Sequence, residues 1–393
     1  MRGLTGSYIS TSYGSEVVRA FLPQPLPPTP PLVWDDQLQA LSQQAGLAIG
    51  RLDGLTSLLP DVSQFLYTYI RKEAVLSSQI EGTQSSLSEL LLFENSDAPG
   101  VPSDDVIEVS NYVAALEHGL ARMREGFPLS LRLIREIHGV LLQKGRGSEQ
   151  QPGEFRTSQN WIGGTRPGTA RYVPPPPDHV IECLGSLERF LHDQPVTTPP
   201  LVKAALAHVQ FETIHPFLDG NGRIGRLLIT LLLCHERVLS QPLLYLSLYL
   251  KQQRSAYYDL LQRVRTDGAW EEWLAFFFNG IVSTAEQATG AVNRVLRLFQ
   301  ENQRLIAEAG GSTASTSLVH GLLQRHPMLS VKRALELLPD RPDKPKPAFT
   351  TINTAFGRLL ELGIVEEKTG AARNRVFAYK DYLRIISEGT EPL

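Results

Sequence analysis

The spacing of apolar residues constrains this chain most. Leu38, Leu41, Ala45, Ala48, Leu52, Leu55 and Leu59 recur at alternating steps of three and four, which is one face of a helix. Pro60 should end that run, because proline cannot continue a helix interior. A second helix is expected from about Asp61 to Glu81, stopped by Gly82, since glycine is favoured just past a helix end. Two further helices are expected within 106–145, and others at 178–193, 199–213, 223–238, 253–265 and about 271–308. The class is mainly α.

Three stretches break the helical text. Residues 22–31 (LPQPLPPTPP) are dense in proline and read as an extended, polyproline-like arm. Residues 153–177 (GEFRTSQNWIGGTRPGTARYVPPPP) read as an irregular hairpin with β-prone flanks around GGTRPGT and a rigid proline exit. Gly310-Gly311-Ser312-Thr313 marks a hinge. Beyond it, three short helical runs precede IVEEKTGAARNRVFAY, two strands around a Thr-Gly turn; helix–helix–helix–hairpin is the order of a winged helix. These breaks suggest an N-terminal region at 1–105, a core at 106–290, a linker helix and hinge at 291–312, and a tail domain at 313–393.

Composition then removes several classes. The 38 Lys and Arg against 41 Asp and Glu leave a net charge of −3, which makes no global case for a nucleic-acid or membrane binder. The tail alone carries 12 basic and 9 acidic residues, a local +3. Two cysteines, Cys183 and Cys234, are too few for a Cys-rich zinc site, an iron–sulfur cluster or a disulfide framework, and suit a reducing compartment. MRGLTGSYIS lacks the basic head and apolar run of a signal peptide, and the apolar stretch near Leu227–Cys234 is too short to span a bilayer. The expected setting is cytoplasmic.

The chemistry concentrates in residues 215–226, HPFLDGNGRIGR, a loop that runs into a helix start. Free N–H groups at that start, glycines that let a ligand come close and two arginines one turn apart describe a polyanion site. Arg223 and Arg226, at i and i+3, can face one phosphate chain. Asp219 adds a hard oxygen ligand suited to Mg2+ shared with substrate phosphates. His215 is the one side chain of the loop whose free pKa suits proton transfer near neutrality. Each residue alone is commonplace, whereas their joint occurrence in twelve positions points to phosphoryl or nucleotidyl transfer.

HPFLDGNGRIGR resembles the Fic-domain motif His-x-Phe-x-(Asp/Glu)-Gly-Asn-Gly-Arg-x-x-Arg at every defined position. The likeness extends over most of the chain: RKEAVLSSQIEGTQSSL is similar to the family's N-terminal helical region, NWIGGTRPGTARYVPPPP to its flap and the tail to its winged-helix appendage. The resemblance implies a Fic helical core with a short β-hairpin flap that transfers AMP from ATP to a Ser, Thr or Tyr hydroxyl and releases pyrophosphate. His215 would be the base, Asp219 the Mg2+ ligand, and Gly220, Asn221 and Gly222 the anion hole, with Arg223 on the β-phosphate and Arg226 on the γ-phosphate. Phe217 would anchor the loop. Tyr257 and Tyr258 match paired tyrosines on the adenine side, and Arg265 stands where some relatives carry an amide. The flap, about 160–173, would hold a protein target by β-augmentation. Ser77-Ser78-Gln79-Ile80-Glu81-Gly82 resembles the family's inhibitory pattern, with Ser77 and Glu81 on one helix face and Arg226 as the partner of Glu81.

Other readings stay open on sequence alone: removal of AMP through Glu81, transfer of another phosphate-containing group, and DNA binding by the tail through a helix at about Ala348–Leu362 carrying Thr350, Thr351, Asn353, Thr354 and Arg358. A homodimer is also open.

Overall fold

A computed structural model describes residues 2–14, 16–58, 62–95, 104–310, 313–339, 346–370 and 374–392. Pro60, Asp61, Gly311, Ser312 and Ala371–Arg373, which the sequence reading placed at a helix break, a hinge and the end of a turn, lie outside the described residues.

The chain opens with a hairpin, β1 (Gly6–Tyr13) against β2 (Glu16–Pro23), in antiparallel register from Gly6–Pro23 to Tyr13–Glu16. Its first strand, GSYISTSY, has no apolar alternation to announce it. The proline arm that follows has no regular secondary structure as far as Asp35. Then come α1 (Asp36–Leu58), α2 (Ser63–Ile80), α3 (Leu87–Phe93), α4 (Asp104–Arg124) and α5 (Leu131–Leu141). Ser86 caps α3 in a reciprocal box with Glu89, which fixes the chain direction just after α2. Glu81 caps α2 and Gly82 follows at φ +103°, the left-handed turn that glycine tolerates.

The segment 153–176 forms the irregular hairpin as a single antiparallel β-bridge, Ile162–Tyr172, with a short 3-10 turn at Pro167–Thr169. Gly163 and Gly164 turn the backbone at φ +70° and +77°, and Pro167 lacks an N–H, so the ladder does not extend past the bridge. Helices resume with α6 (Pro177–Leu191), α7 (Pro200–Ile214), α8 (Asn221–His235), α9 (Ser247–Gln252), α10 (Arg254–Asp267) and α11 (Trp270–Glu308). α7 is buried from Val202 to Ile214 on every side, so its sequence shows no polar stripe. α11 is the longest element at 39 residues and lies along α1, joining the N-terminal region to the tail.

The tail comprises α12 (Thr313–Arg325), β3 (Met328–Ser330), α13 (Val331–Leu337), α14 (Phe349–Glu361), β4 (Val365–Glu367), β5 (Val376–Tyr379) and α15 (Lys380–Ile386). The expected hairpin is present as β4–β5, and β3 adds a third antiparallel strand in the order β3-β5-β4. Within α14, Arg358 donates to the carbonyl of Ala309 at 2.8 Å and Asn353 accepts from Arg375 at 3.1 Å, so two of the five side chains offered for DNA are engaged within the protein. The tail is also tied to α2. Thr68 and Tyr382 hydroxyls meet at 3.1 Å, Lys72 donates to the Glu388 carbonyl at 2.8 Å, and Gln79 donates to the Thr390 carbonyl at 2.8 Å. Among the described residues no helix is long and apolar enough to cross a membrane.

Candidate functional site

The loop between α7 and α8 is braced from within. Asn221 closes it by accepting from the Phe217 N–H at 2.9 Å and donating to the Phe217 carbonyl at 2.8 Å. The Phe217 ring is fully buried and stacks on His138 of α5, with centroids 3.7 Å apart and planes 6° from parallel. The Gly153 N–H donates to His138 Nδ1 at 2.8 Å, which puts the ring proton on Nε2, donated to the Asp219 carbonyl at 3.0 Å. Burial holds His138 down to about 4, so it serves as a neutral strut. Gly220 takes φ +77°, and the first helical donor with an i−4 partner is Ile224, bonded to Gly220 at 3.0 Å. The N–H groups of Asn221, Gly222 and Arg223 therefore lie in the helix's unpartnered first turn.

His215 stands at the other end, in a left-handed conformation (φ +49°, ψ +61°) that a side chain with a Cβ rarely adopts. Its carbonyl receives Arg156 Nε at 2.9 Å, and buried Arg156 also reaches the carbonyls of Ile214 and Pro175. This grip offsets the roughly 1–3 kcal/mol such backbone costs and turns the imidazole into a cavity. Burial, with the guanidiniums of Arg156 and Arg265 adding to it, depresses His215 to about 3, so at neutral pH the ring is uncharged and able to accept a proton. Glu212, one turn earlier, lies 3.9 Å from His215 Nδ1, and burial raises its carboxyl to about 7.

That cavity, about 490 Å³, is walled by Glu81, Trp161, Glu212, His215, Gly222, Arg226, Tyr257, Tyr258 and Arg265 among others. Arg226 crosses it. Its Nη2 donates to Glu81 at 2.7 Å and to the Ser77 carbonyl at 3.0 Å, and its Nε to the Ser77 hydroxyl at 2.9 Å. Burial works against charge on both Glu81 and Arg226, yet their mutual attraction wins and keeps the carboxyl below its usual range. Tyr257 donates its hydroxyl to His208 at 2.8 Å, whose other nitrogen donates to the Gly225 carbonyl at 2.9 Å. Arg265 lies 3.9 Å over the Tyr172 ring and donates to Thr213 at 3.2 Å.

Not every expected residue faces this space. Asp219, Gly220, Asn221 and Arg223 do not line it. Arg223, almost wholly buried, turns to Glu108 of α4 at 2.9 Å and to Asp219 at 3.5 Å, so the two motif arginines do not reach a common partner here. Their i,i+3 spacing allows one, but each meets a different carboxylate. Glu108, His138, Arg156 and Glu212 escaped the motif argument. His138 had a faint signal, because it sits on the apolar stripe Ile134, Ile137, Leu141. Asp219 Oδ1 accepts from the Gly220 N–H at 2.6 Å, and no cluster of three metal-ligating side chains exists among the described residues. A lone, half-exposed carboxylate fits a Mg2+ whose other ligands are phosphate oxygens and water.

Two regions of the chain match known protein families. Residues 128–233 match the Fic/DOC family, and residues 39–121 match the Fic/DOC family N-terminal region. The chain thus carries a Fic N-terminal region and a Fic domain. Among curated Fic relatives, Protein adenylyltransferase Fic of Drosophila melanogaster is 32% identical over 186 residues, covering 47% of this chain and 35% of the relative. The Drosophila erecta protein of the same name is 31% identical over 186 residues, with 47% and 34% coverage. The chain thus spans about a third of the length of these relatives. A crystal structure of a Fic family protein from Desulfovibrio desulfuricans G20 aligns over 91% of this chain and 98% of that one, with TM-score 0.56 and 20% identity, which establishes a shared fold.

Proposed function

We propose that this Fic protein transfers AMP from ATP to a Ser, Thr or Tyr hydroxyl of target proteins and of itself. The observation that carries the reading is one cavity holding a neutral His215 and a buried Arg226 clasped by Glu81, a residue 145 positions away in sequence. The names of the Drosophila relatives support the same activity.

On this reading the triphosphate lies along the start of α8, its charge met by the first-turn N–H groups and by Arg226. The target hydroxyl oxygen attacks the α-phosphorus as His215 Nε2 takes its proton; the bond from the α-phosphorus to the bridging oxygen breaks, and pyrophosphate leaves. Asp219 would hold Mg2+, which supplies neutralising charge to the phosphates when bound. Tyr257 and Tyr258 give the base an aromatic wall, and the segment 160–173 seats the target.

The same geometry supports autoinhibition. While Glu81 and Ser77 engage Arg226, the γ-phosphate lacks its partner and the α-phosphate is not aligned for attack, and a misplacement of about 1 Å can cost ~10²-fold. The test incubates protein with ATP labelled at the α or γ position. The α label should become protein-bound, more strongly in Glu81→Gly than in wild type. Arg226→Ala added to Glu81→Gly should cancel the gain, and His215→Ala should lower transfer by ~10²–10⁴-fold. Retention of the γ label would identify a phosphotransferase instead. An unchanged Glu81→Gly rate would remove the inhibitory role.

A further inference from the structure

The hairpin β1–β2 takes no part in the site described above, yet its composition is distinctive. Seven of the nine residues from Ser7 to Ser15 carry a hydroxyl: Ser7, Tyr8, Ser10, Thr11, Ser12, Tyr13 and Ser15. Residues directly opposite in an antiparallel pair share a face. The register sets Ile9 opposite Ala20, Thr11 opposite Val18 and Tyr13 opposite Glu16, so Ile9, Thr11 and Tyr13 lie on the face of buried Val18 and Ala20.

That face rests on the segment 160–173. Val18, Ala20 and Val173 form a small apolar cluster with Trp161 and Ala170. The Phe21 N–H donates to the Val173 carbonyl at 2.9 Å. At the hairpin tip Glu16 pairs with Arg166 and accepts from the Gly168 N–H at 3.3 Å. Tyr13 meets Trp161 edge to face at 5.6 Å, and Trp161 in turn walls the cavity that holds His215. A hydroxyl-rich strand pair is therefore seated on the surface where a target segment would dock. Tyr13, 42% exposed, is its hydroxyl-bearing residue in ring contact with the cavity wall.

We propose that Tyr13 is an acceptor of AMP, so that the protein modifies its own N-terminal hairpin. This rests on the adenylyltransferase reading. The Tyr13 phenolic oxygen bonds to the α-phosphorus of ATP, the bond from that phosphorus to the bridging oxygen breaks and pyrophosphate leaves. His215 Nε2 takes the phenolic proton. The product is a tyrosyl phosphodiester, reached without any oxidant or further co-reactant.

The experiment uses the full chain in a Glu81→Gly background, incubated with α-labelled ATP and Mg2+. Cleavage after Arg2 and Arg19 isolates all seven hydroxyls in the peptide Gly3–Arg19, in which fragmentation mass spectrometry locates the adduct. AMP should be found on Tyr13, and the peptide should be unmodified in Tyr13→Phe. Glu16→Ala, which unties the hairpin tip from Arg166, should lower the Tyr13 adduct severalfold while leaving the labelling of other proteins in a lysate unchanged. An unmodified Gly3–Arg19 peptide alongside labelled lysate proteins overturns the proposal and leaves the transfer activity standing. So does an adduct on another hydroxyl that Tyr13→Phe does not alter. If neither this protein nor any lysate protein takes up label, the adenylyltransferase reading fails, and this inference with it.

Discussion

Gly222 meets two demands at once. A phosphate needs close approach to its N–H, and the Glu81–Arg226 pair needs the space beside its Cα. A Cβ there would fall 2.2 Å from the Glu81 carboxylate and 3.0 Å from Arg226 Nη1. Glu212 is the other residue under strain, because its carboxyl is buried with one oxygen unpartnered. Burial lifts its pKa from 4.5 to about 7. Between those values the unfolded chain has released the proton and the folded one keeps it, so stability falls as pH rises through that window. Glu212→Gln removes this dependence. Its melting temperature relative to wild type should improve from pH 5 to pH 8, by the equivalent of at most about 3 kcal/mol. A pH-independent difference would show that Glu212 ionises freely in the fold. The loop stood out as a candidate site because histidine, carboxylate, glycines and arginines fall within twelve positions. Glu108 and Arg156 did not, because each acts through a contact made across the fold: Glu108 on Arg223, and Arg156 on the His215 carbonyl.

At the scale of elements, α1 was legible because it buries one face and so writes a three–four rhythm into its sequence, whereas α2, buried on every side from Thr68 to Ile80, was marked in sequence by the stop at Gly82. α7 has no such rhythm, since all its sides are covered, and its placement followed from its apolar content alone. β1 was missed for a different reason. GSYISTSY has no apolar alternation, and its pairing is fixed by β2 and by the distant segment 160–173. The α7–α8 loop is an element in its own right, with Phe217 as its peg between His138, Phe155 and Phe211. Phe217→Ala should cost about 3–5 kcal/mol of stability, read as a lower urea midpoint with unchanged slope. Such a loss with an undisturbed catalytic rate would mean that the loop holds its shape through Asn221 alone.

Across the whole molecule, the tail meets the catalytic half on α2. Lys72 and Gln79 carry the tail's carbonyls, while Ser77 and Glu81 on the same helix hold Arg226. Deleting residues 388–393 removes both carbonyl acceptors and the Glu388 partner of Arg294. On the proposed reading, basal AMP transfer should rise severalfold, with no further gain when the deletion is placed on Glu81→Gly, because both would act on one contact. A deletion that adds its full effect to Glu81→Gly would separate the tail from Glu81. α12, α13, α14 and the β4–β5 hairpin were readable in sequence, whereas β3 and α15 were not, and the tail's docking on α2 depends largely on backbone carbonyls that leave no side-chain signature.

From Lys72 to Glu81 is nine residues, about 14 Å of one rigid rod. On the proposed reading, the chemistry of HPFLDGNGRIGR and the conditions that would release it are written in separate parts of the chain, joined through a few side chains of α2. A different tail that met Lys72 and Gln79 in its own way would give the same catalyst a different trigger. Selection could then exchange what the protein listens to while leaving inherited intact what it does.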